Sequence, residues 1–268
     1  MKKSDTLKMN LLSCLQTRKQ MTIQEACDVL KASESTVRRL FSDFEKCGIG
    51  TRLHGAIRLS NTNDAPYIFD KQNQLNYQAK EIIGKLAATR VSDGDVIYID
   101  WGTTTSHFCR ALAERMANGS LHNVTVFTNS FVNLELLYRH CTVILLGGRY
   151  REARKDLAGF VAEEAVRSLH FHKCFICVDG YTKMNGFAQL DFDSARVDRI
   201  VFDNSDIAYV MMDNSKFHIS ATVSCKGNRQ FDYLITDKAV DEALIDQVRT
   251  FTKEILTPVS DSSEMNYI

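Results

Sequence analysis

Positions 33 to 39 read Ser33-Glu34-Ser35-Thr36-Val37-Arg38-Arg39, a short turn after the helical run from Thr22 to Leu30. Thr22 and Glu25 have the spacing of a capping box, in which each side chain bonds a free amide of the other residue, so a helix is predicted to begin near Thr22. Ser33 is well suited to cap a second helix. The inner face of that second helix is predicted to consist of Val37, Leu40, Phe41 and Phe44.

The first turns of the second helix carry polar side chains that are free to face outward. These residues are Ser33, Ser35, Thr36, Arg38 and Arg39. In a helix-turn-helix, the N-terminal residues of the second helix meet base edges and phosphates. We therefore expect this segment to bind double-stranded DNA, and we expect Gly48 to end the helix.

A β ribbon is predicted directly after these helices. From Arg52 to Leu59 the residues alternate with the period of a half-buried ribbon. One face is predicted to carry Leu53, Gly55, Ile57 and Leu59, and the other Arg52, His54, Ala56 and Arg58. We expect the basic residues of the second face to contact DNA as a wing. The alternative is a small helical domain whose arginines are solvated.

The charge distribution favours the DNA-binding interpretation. Residues 1–59 contain 11 Lys and Arg against 6 Asp and Glu, a net charge of +5. The other 209 residues contain 22 and 27, a net charge of −5. The formal net charge of zero therefore hides a basic head on an acidic body, which is the electrostatic pattern expected of a DNA-binding module.

A length of 268 residues leaves room for a second, larger domain. We predict a DNA-binding domain at 1–59, a polar linker at 60–72, an α/β domain at 73–257 and a disordered tail at 258–268. The α/β domain is predicted to begin with a helix from Asn73 to Thr89. Its apolar side would carry Tyr77, Ile82, Ile83, Leu86 and Ala87.

The predicted α/β domain alternates short apolar runs with helix-like stretches, which indicates a mainly parallel sheet covered by helices on both faces. The runs are Val96–Ile99, Val124–Phe127, Val143–Leu146, Cys174–Val178, Ala208–Met212 and Tyr233–Ile235. Each run ends in Asp, Asn or Gly, and such residues collect at the carboxyl edge of an open parallel sheet, where ligands bind. Strand-to-helix turns also use these residue types without any ligand.

Asp100-Trp101-Gly102-Thr103-Thr104-Thr105 follows the first of these strands and opens a helix. Free backbone amides and three hydroxyls at a positive helix end form a cradle suited to phosphate. The alternative is that the threonines only cap the helix. The loop has neither Gly-Lys-Ser/Thr nor G-x-G-x-x-G, which disfavours ATP and NAD.

The remaining composition argues against several other classes of protein. The chain is 44% hydrophobic, has no run of 18 apolar residues and has no leader-like N-terminus, so we expect a soluble cytosolic protein without a membrane partner. Its eight cysteines lack a framework spacing. Cys174 and Cys177 lie three apart on a predicted strand and point to opposite faces, so we predict no metal site, cofactor or catalytic cysteine.

The head resembles the DeoR-type bacterial transcriptional regulators. The matching residues are Ser33, Thr36, Val37, Arg38, Arg39 and His54-Gly55-Ala56. Leu40 and Phe41 replace the usual Asp and Leu, and one glycine of the His-Gly-Gly-Ala pattern is missing. The resemblance implies a winged helix-turn-helix fold.

The body resembles the DeoR-type C-terminal sensor domain, which is similar in fold to ribose-phosphate and glucosamine-phosphate isomerases. The matching pieces are Asp100-x-Gly102-Thr103-Thr104-Thr105, Thr128-Asn129-Ser130, Gly147-Gly148, Asp213-x-Ser215-Lys216-Phe217 and Ile235-Thr236-Asp237. The resemblance implies a sugar-phosphate effector, held by Asp100, Gly102, Thr103, Thr104, Thr105, Asn129, Gly147, Gly148 and Lys216. Trp101 occupies a slot usually filled by a smaller residue, and Ser194 stands where the family often has Glu.

These observations together predict a transcriptional regulator, a repressor of a carbohydrate-metabolism operon controlled by a phosphorylated sugar. Specific DNA binding by such small heads needs at least a homodimer on repeated half-sites. Two alternatives remain open: an active sugar-phosphate isomerase with a DNA-binding head, and a DNA-binding scaffold with a vestigial pocket. The first alternative requires turnover, and the second requires that sugar phosphates do not bind.

Overall fold

The computed structural model describes residues 7–8, 10–11, 14–15, 18–46, 50–59, 67–225 and 227–258. They belong to two compact units that divide between Pro66 and Tyr67. Three expectations lie outside the described residues: Gly48 as the end of a helix, the linker over 60–66, and the tail from 259 onward.

In the described part of the first unit, two helices with defined bounds accompany a three-stranded antiparallel sheet in the order β1-β3-β2. Its described elements are β1 (Gln20–Thr22), α1 (Ile23–Leu30), α2 (Glu34–Lys46), β2 (Gly50–Leu53) and β3 (Ala56–Leu59). Strand β1, which the sequence did not predict, pairs antiparallel with β3.

Both predicted helix starts in this unit are confirmed. The hydroxyl of Thr22 accepts from the Glu25 amide at 3.2 Å, while the Thr22 amide donates to the Glu25 carboxylate at 2.7 Å. Ser33 Oγ accepts from the Thr36 amide at 3.4 Å. The predicted inner face of α2 is buried together with residues of the neighbouring elements: Leu11, Leu15, Met21, Ala26, Leu30, Val37, Leu40, Phe41, Phe44 and Ile57.

The predicted alternation of the wing is wrong, because the ribbon is a hairpin with a tight turn at His54 and Gly55. Leu53 pairs with Ala56 across this turn, and Gly55 takes the positive φ of 74° that a two-residue hairpin loop requires. The turn reverses the chain and resets the inward and outward pattern. As a result Ala56 and Ile57 are both buried, whereas Leu53 is 40% exposed.

The second unit is built on a seven-stranded sheet in which every neighbouring pair is parallel, as predicted. Its strand order is β15-β14-β12-β9-β4-β5-β6. The strands are β4 (Val96–Ile99), β5 (Thr125–Thr128), β6 (Thr142–Leu145), β9 (Phe171–Cys177), β12 (Ser205–Met211), β14 (Phe231–Ile235) and β15 (Thr252–Leu256).

Several short strands were missed, because none of them is marked by a long apolar run. Besides the edge strand β15, they form a two-stranded and a three-stranded antiparallel sheet. They are β7 (Arg149–Arg151), β8 (Asp156–Ala158), β10 (Gly180–Thr182), β11 (Gly186–Gln189) and β13 (Val223–Ser224).

Helices cover both faces of the large sheet, which places an apolar core on each side. One core packs α7, α8 and α9 against residues such as Tyr98 and Ile176, and the other packs α4, α5 and α6 against residues such as Ile97 and Phe175. The helices are α3 (Phe69–Gln74), α4 (Tyr77–Ala88), α5 (Thr103–Ala117), α6 (Phe131–Leu137), α7 (Phe160–Arg167), α8 (Phe192–Asp203) and α9 (Glu242–Val248).

The single helix predicted over residues 73–89 is wrong, because the chain breaks it at Asn76. Asn76 has a left-handed φ of 52°, and its amide nitrogen donates to Asp213 Oδ1 at 3.1 Å and to Ser215 Oγ at 2.9 Å. A preceding helix, α3, begins within the segment that was assigned to the linker. On α4 the buried side is also rotated from the predicted one: Ile82 is exposed and Lys80 is buried.

Close packing of α4 on α5 requires glycine at position 84. A Cβ atom built at Gly84 would lie 2.6 Å from the backbone carbon of His107. We expect Gly84→Ala to lower the free energy of unfolding by about 1–3 kcal/mol, although alanine is the better helix former by about 1 kcal/mol. Urea unfolding measures the change. Gly147→Ala, whose added Cβ would meet only Val161 at 3.5 Å, is the control and should have little effect.

Candidate functional site

The start of helix α2 presents the predicted DNA-binding residues at the surface. Ser33, Ser35, Arg38 and Arg39 are exposed, and Thr36 is half-buried. The hydroxyl of Ser33 lies 3.1 Å from that of Ser35 and 3.0 Å from that of Thr36. The three hydroxyls therefore form one cluster on the first turn of the helix.

The two arginines of α2 differ in how they are held. Arg38 donates to Glu34 through Nε at 2.8 Å and through Nη2 at 2.6 Å. Arg39 has no ion pair or side-chain hydrogen bond with any residue that the structure describes. Because exposed ion pairs are weak, Arg38 can exchange its partner for a phosphate, whereas Arg39 is already free.

The basic residues of the wing lie on different parts of the hairpin. Arg52 is on β2, where its Nη1 lies 3.9 Å from a carboxylate oxygen of Glu45 on α2. His54 is at the exposed turn, and Arg58 is exposed on β3. The wing is thus basic at its tip and on both strands, as predicted, even though its faces were predicted wrongly.

The strand order of the large sheet reverses between β4 and β9. From β4 the chain proceeds in one direction through β5 and β6, and it then returns to place β9 on the other side of β4. In open α/β sheets, ligands bind outside the carboxyl ends of the strands at such a switch point. The predicted threonine loop follows β4 and therefore lies at this position.

Gly102 separates β4 from α5 and leaves the first turn of that helix without a side-chain cap. A Cβ atom at this position would overlap the sulfur of Cys177 at the end of β9. The close approach of the two strand ends thus requires glycine here. Its consequence is a helix end whose free amides can meet an anion.

The three threonines of the loop have different roles. Thr105 is fully buried, and its hydroxyl donates to Asp100 Oδ1 at 2.7 Å and to the Gly102 carbonyl at 2.8 Å. The hydroxyls of Thr103 and Thr104 make no hydrogen bond with the residues that the structure describes. Thr103 and Thr104 can therefore bind a ligand, while Thr105 holds the loop.

Asp100 is fully buried and is satisfied by protein groups. Its Oδ1 also accepts from the Gly102 amide at 3.0 Å, and its Oδ2 accepts from the Cys177 amide at 2.6 Å. Burial raises the pKa of Asp100 to about 6, against the lowering effect of these hydrogen bonds. Burial, together with the nearby charge of Asp100, raises the pKa of Asp198 well above its usual range.

Asn129, Gly147 and Gly148 follow β5 and β6 at the same sheet edge. The Asn129 amide is fully buried: it donates to the Leu157 carbonyl at 2.9 Å and accepts from Tyr98 Oη at 3.2 Å. Gly147 is exposed, and a Cβ at Gly148 would meet the backbone of Ala158 at 3.0 Å. These three residues shape the β5 to β8 region.

Lys216 lies in the short 3-10 turn Asn214–Lys216, after β12, and is half-buried. The buried Lys80 of α4, which sequence reasoning missed, is close enough that the charge of Lys216 depresses its pKa. Burial is the main cause of that shift, which lowers the pKa of Lys80 to about 8. The sequence signal that could have revealed Lys80 is its helical spacing from Ile83 and Ala87, which places all three residues on one side of α4.

An aromatic and arginine cluster also lies beside the loop and was missed. The guanidinium of Arg154 lies 4.5 Å from the ring centre of Tyr67 and 4.6 Å from that of Trp101. Arg154 follows β7, where Arg151 donates to Asp191 at 2.6 Å. The β7 and β8 hairpin creates the contact between Arg154 and Trp101. No local sequence pattern therefore marks this cluster.

The part of the chain that the structure describes contains no group of three potential metal ligands. Cys174 is buried in one core of the sheet, and Cys177, three residues later, lies against Gly102. Among the described helices, none is long and apolar enough to cross a membrane.

A winged helix-turn-helix unit and an α/β unit with a polar loop at the switch point of its parallel sheet define a class of two-part DNA-binding regulators. The chain matches the DeoR-like helix-turn-helix domain over residues 8–63 and the DeoR C-terminal sensor domain over residues 75–238. The chain belongs to the DeoR family of transcriptional regulators.

Related proteins match most of the chain. The Bacillus subtilis (strain 168) protein named as an uncharacterized HTH-type transcriptional regulator, FruR, is 32% identical over 197 residues, which cover 73% of this chain and 76% of the relative. The lactose phosphotransferase system repressor of Lactococcus lactis subsp. lactis is 27% identical over 245 residues, which cover 90% and 94%.

Among solved structures, ribose 5-phosphate isomerase A of Methanocaldococcus jannaschii matches 53% of this chain and 55% of its own, at 22% identity and a TM-score of 0.40.

The contrast between the two arginines of α2 generates a prediction. We expect Arg39→Ala to weaken operator binding by about 1–3 kcal/mol and to relax preference at one base pair, if Arg39 reads a guanine. If Arg39 contacts phosphate, affinity should fall on all sequences and the salt slope should shrink by about one. Fluorescence anisotropy over a salt series measures both effects.

The control for Arg39→Ala is Arg249→Ala, which removes the same charge from the exposed end of α9 in the second unit. This control should bind DNA as the unaltered protein does. If Arg39→Ala and Arg38→Ala each bind the operator as tightly as the unaltered protein does, neither arginine belongs to the DNA interface.

The buried carboxyls generate a prediction about pH. A carboxyl whose pKa is raised in the folded state binds its proton more tightly there than in the unfolded state. Its stabilising contribution to the free energy of unfolding is therefore lost as the pH rises from about 4 through the folded pKa. Asp198→Asn removes one such carboxyl and the repulsion it exerts on Asp100. We expect the free energy of unfolding to decline less between pH 4 and pH 8 in this variant.

Urea unfolding at several pH values tests the pH prediction. Asp246→Asn, which replaces an exposed carboxylate of α9, should retain the unaltered pH profile. A parallel profile for Asp198→Asn and the unaltered protein would show that the buried pair does not control the pH dependence.

Proposed function

We propose that this protein is a repressor of a carbohydrate-metabolism operon and that a phosphorylated sugar controls its binding to operator DNA. The observation that carries the proposal is the uncapped start of α5 at the switch point of the sheet. There the hydroxyls of Thr103 and Thr104 make no hydrogen bond with the described residues. The hydrogen bond from the Thr105 hydroxyl to Asp100 holds the loop in place.

The chemistry of the loop favours a phosphate group as the ligand. The free amides of a helix start and two hydroxyls supply donors, and the helix dipole favours negative charge. Lys216 adds a cation from the turn after β12. Burial lowers the pKa of Lys80, and the charge of Lys216 lowers it further against the raising effect of Asp213. A bound phosphate would relieve the repulsion between these two lysines.

We assign two residues a role different from the one that the resemblance suggested. Asp100 and Asn129 are fully buried, and their polar atoms bond to protein groups. We therefore assign them to positioning the loop and the neighbouring β8 backbone. Direct contact with the effector falls to Thr103, Thr104 and Lys216, with Gly102 allowing the close approach.

Repression requires that the sensor unit alter DNA affinity. A ligand shifts this affinity only by binding the DNA-competent and incompetent arrangements unequally. Two heads on repeated half-sites, and hence at least a homodimer, supply the specificity that a single head lacks. The name of the Lactococcus relative, the lactose phosphotransferase system repressor, supports a carbohydrate operon as the target.

Sugar-phosphate isomerisation is the enzyme alternative, and the burial of Asp100 weighs against it. A general base must come within hydrogen-bond reach of the proton that it moves. Asp100 already accepts three hydrogen bonds at the centre of the site, from Gly102, Thr105 and Cys177. Ser194, at the position where related proteins often have Glu, bonds Asp191 at 2.8 Å.

Trp101 gives a direct test, because it is the only tryptophan of the chain and precedes the loop. A phosphorylated sugar should change its fluorescence in a saturable way, and the free sugar should do so much less. We expect Thr104→Asp to abolish the response, since it places a negative charge at the phosphate position while remaining favourable at a helix start. Thr104→Ser, which keeps the hydroxyl, should retain it.

Operator affinity measured with the same panel completes the test. Saturable binding that also shifts operator affinity supports the proposal. If no sugar phosphate of a broad panel changes either quantity, the scaffold alternative replaces it. Steady conversion of a sugar phosphate, proportional to protein and lost in Lys216→Ala, would establish the isomerase instead.

A further inference from the structure

Arg154 is held between two aromatic rings beside the threonine loop. Its guanidinium lies 4.5 Å from the ring centre of Tyr67 and 4.6 Å from that of Trp101, and the two rings meet edge to face at 5.4 Å. Its side chain is 15% exposed. Stacking fixes the plane of the guanidinium and leaves its edge for hydrogen bonding.

Two donors of this cluster are buried without partners. Arg154 Nη1 and Trp101 Nε1 make no hydrogen bond with any residue that the structure describes, and Trp101 is only 3% exposed. Buried donors are almost always satisfied, so each unsatisfied one calls for a group that is not protein. Both donors lie next to the threonine loop, since Trp101 directly precedes Gly102 and the guanidinium of Arg154 lies over the Trp101 ring.

The charge of Arg154 is also incompletely matched. Its nearest carboxylate is that of Asp191, at 3.5 Å from Nη2. Asp191 is already bonded more closely by Arg151 at 2.6 Å and by the Ser194 hydroxyl at 2.8 Å. Arg154 is therefore a cation whose planar donor edge is available at low solvent exposure.

We propose that Arg154 and Trp101 bind a second anionic group of the effector. The ligand class is then a sugar phosphate that also carries a carboxylate or a second phosphate. This inference rests on the proposed function, in which the loop of Thr103 and Thr104 holds the first phosphate. A fixed guanidinium and an adjacent N–H match the oxygens of a carboxylate or a phosphate.

The position of the two residues explains why this chain would select such a ligand. Trp101 brings a buried indole N–H next to Gly102, and the β7 and β8 hairpin brings Arg154 over the indole ring. A sugar phosphate with a single anionic group would leave both donors unsatisfied. A ligand with a second anionic group satisfies them in the same step in which it fills the loop.

Calorimetric titration of the full chain with matched pairs tests the inference. Glucose 6-phosphate against 6-phosphogluconate differs by one carboxylate, and fructose 6-phosphate against fructose 1,6-bisphosphate differs by one phosphate. We expect the doubly anionic member of at least one pair to bind tenfold or more tightly. The pair that shows the preference identifies whether the second anion is a carboxylate or a phosphate.

The variants separate this site from the phosphate loop. Arg154→Gln should remove the tenfold preference and change the affinity for the singly phosphorylated sugar by less than about threefold. Trp101→Phe, which keeps the ring and removes the N–H, should reduce the preference. Arg149→Gln removes an exposed cation from the same hairpin and should preserve it. Arg154→Lys, which keeps the charge, should fold and retain part of the preference.

The outcomes are distinguishable. If singly phosphorylated sugars bind and respond to Thr104→Asp, but no doubly anionic partner binds more tightly, this inference is overturned and the proposed function stands. An undiminished preference in both Arg154→Gln and Trp101→Phe overturns it as well. If no phosphorylated sugar binds at all, the proposed function fails together with it.

Discussion

The hydrogen bonding of the Asp100 carboxylate is the interaction on which the candidate site of the second unit depends. It accepts from the Gly102 amide and the Thr105 hydroxyl on its own loop, and from the Cys177 amide on the neighbouring strand. One buried group thus joins the ends of β4 and β9 at the point where the strand order reverses. Without it, the start of α5 would not be held in one position.

The burial of Asp100 also affects the electrostatics of the site. A second buried carboxyl, that of Asp198, accepts from Tyr98 and Gln189 and shares the apolar surroundings of Asp100. Burial raises the pKa of both carboxyls, and the charge of Asp100 adds to the shift at Asp198.

In the DNA-binding unit, the starts of two helices are fixed by side chains. The caps are Thr22 on α1 and Ser33 on α2. Arg39 of α2 is exposed and has no ion pair or side-chain hydrogen bond with the residues that the structure describes. A capped helix start that presents an exposed cation suits a surface that must read bases and contact phosphates.

The sequence by itself determined the local features of this protein. It predicted the two capped helices, the apolar face of α2, six of the parallel strands and the turn residues of the threonine loop, since each depends on neighbours a few positions away. It also predicted which side chains carry charge. It did not predict the hairpin turn that changes the faces of the wing, because one residue in a left-handed conformation resets the alternation there.

Only the tertiary structure decided which of the predicted residues have polar atoms left unused by the protein. Asp100 and Asn129 carry the polarity of binding residues, yet the fold uses their atoms internally; Arg154 had no motif, yet the fold brings it over the ring of Trp101. The reason is physical: burial and partnership of a side chain are set by strands and hairpins distant in sequence, and no local spacing records them.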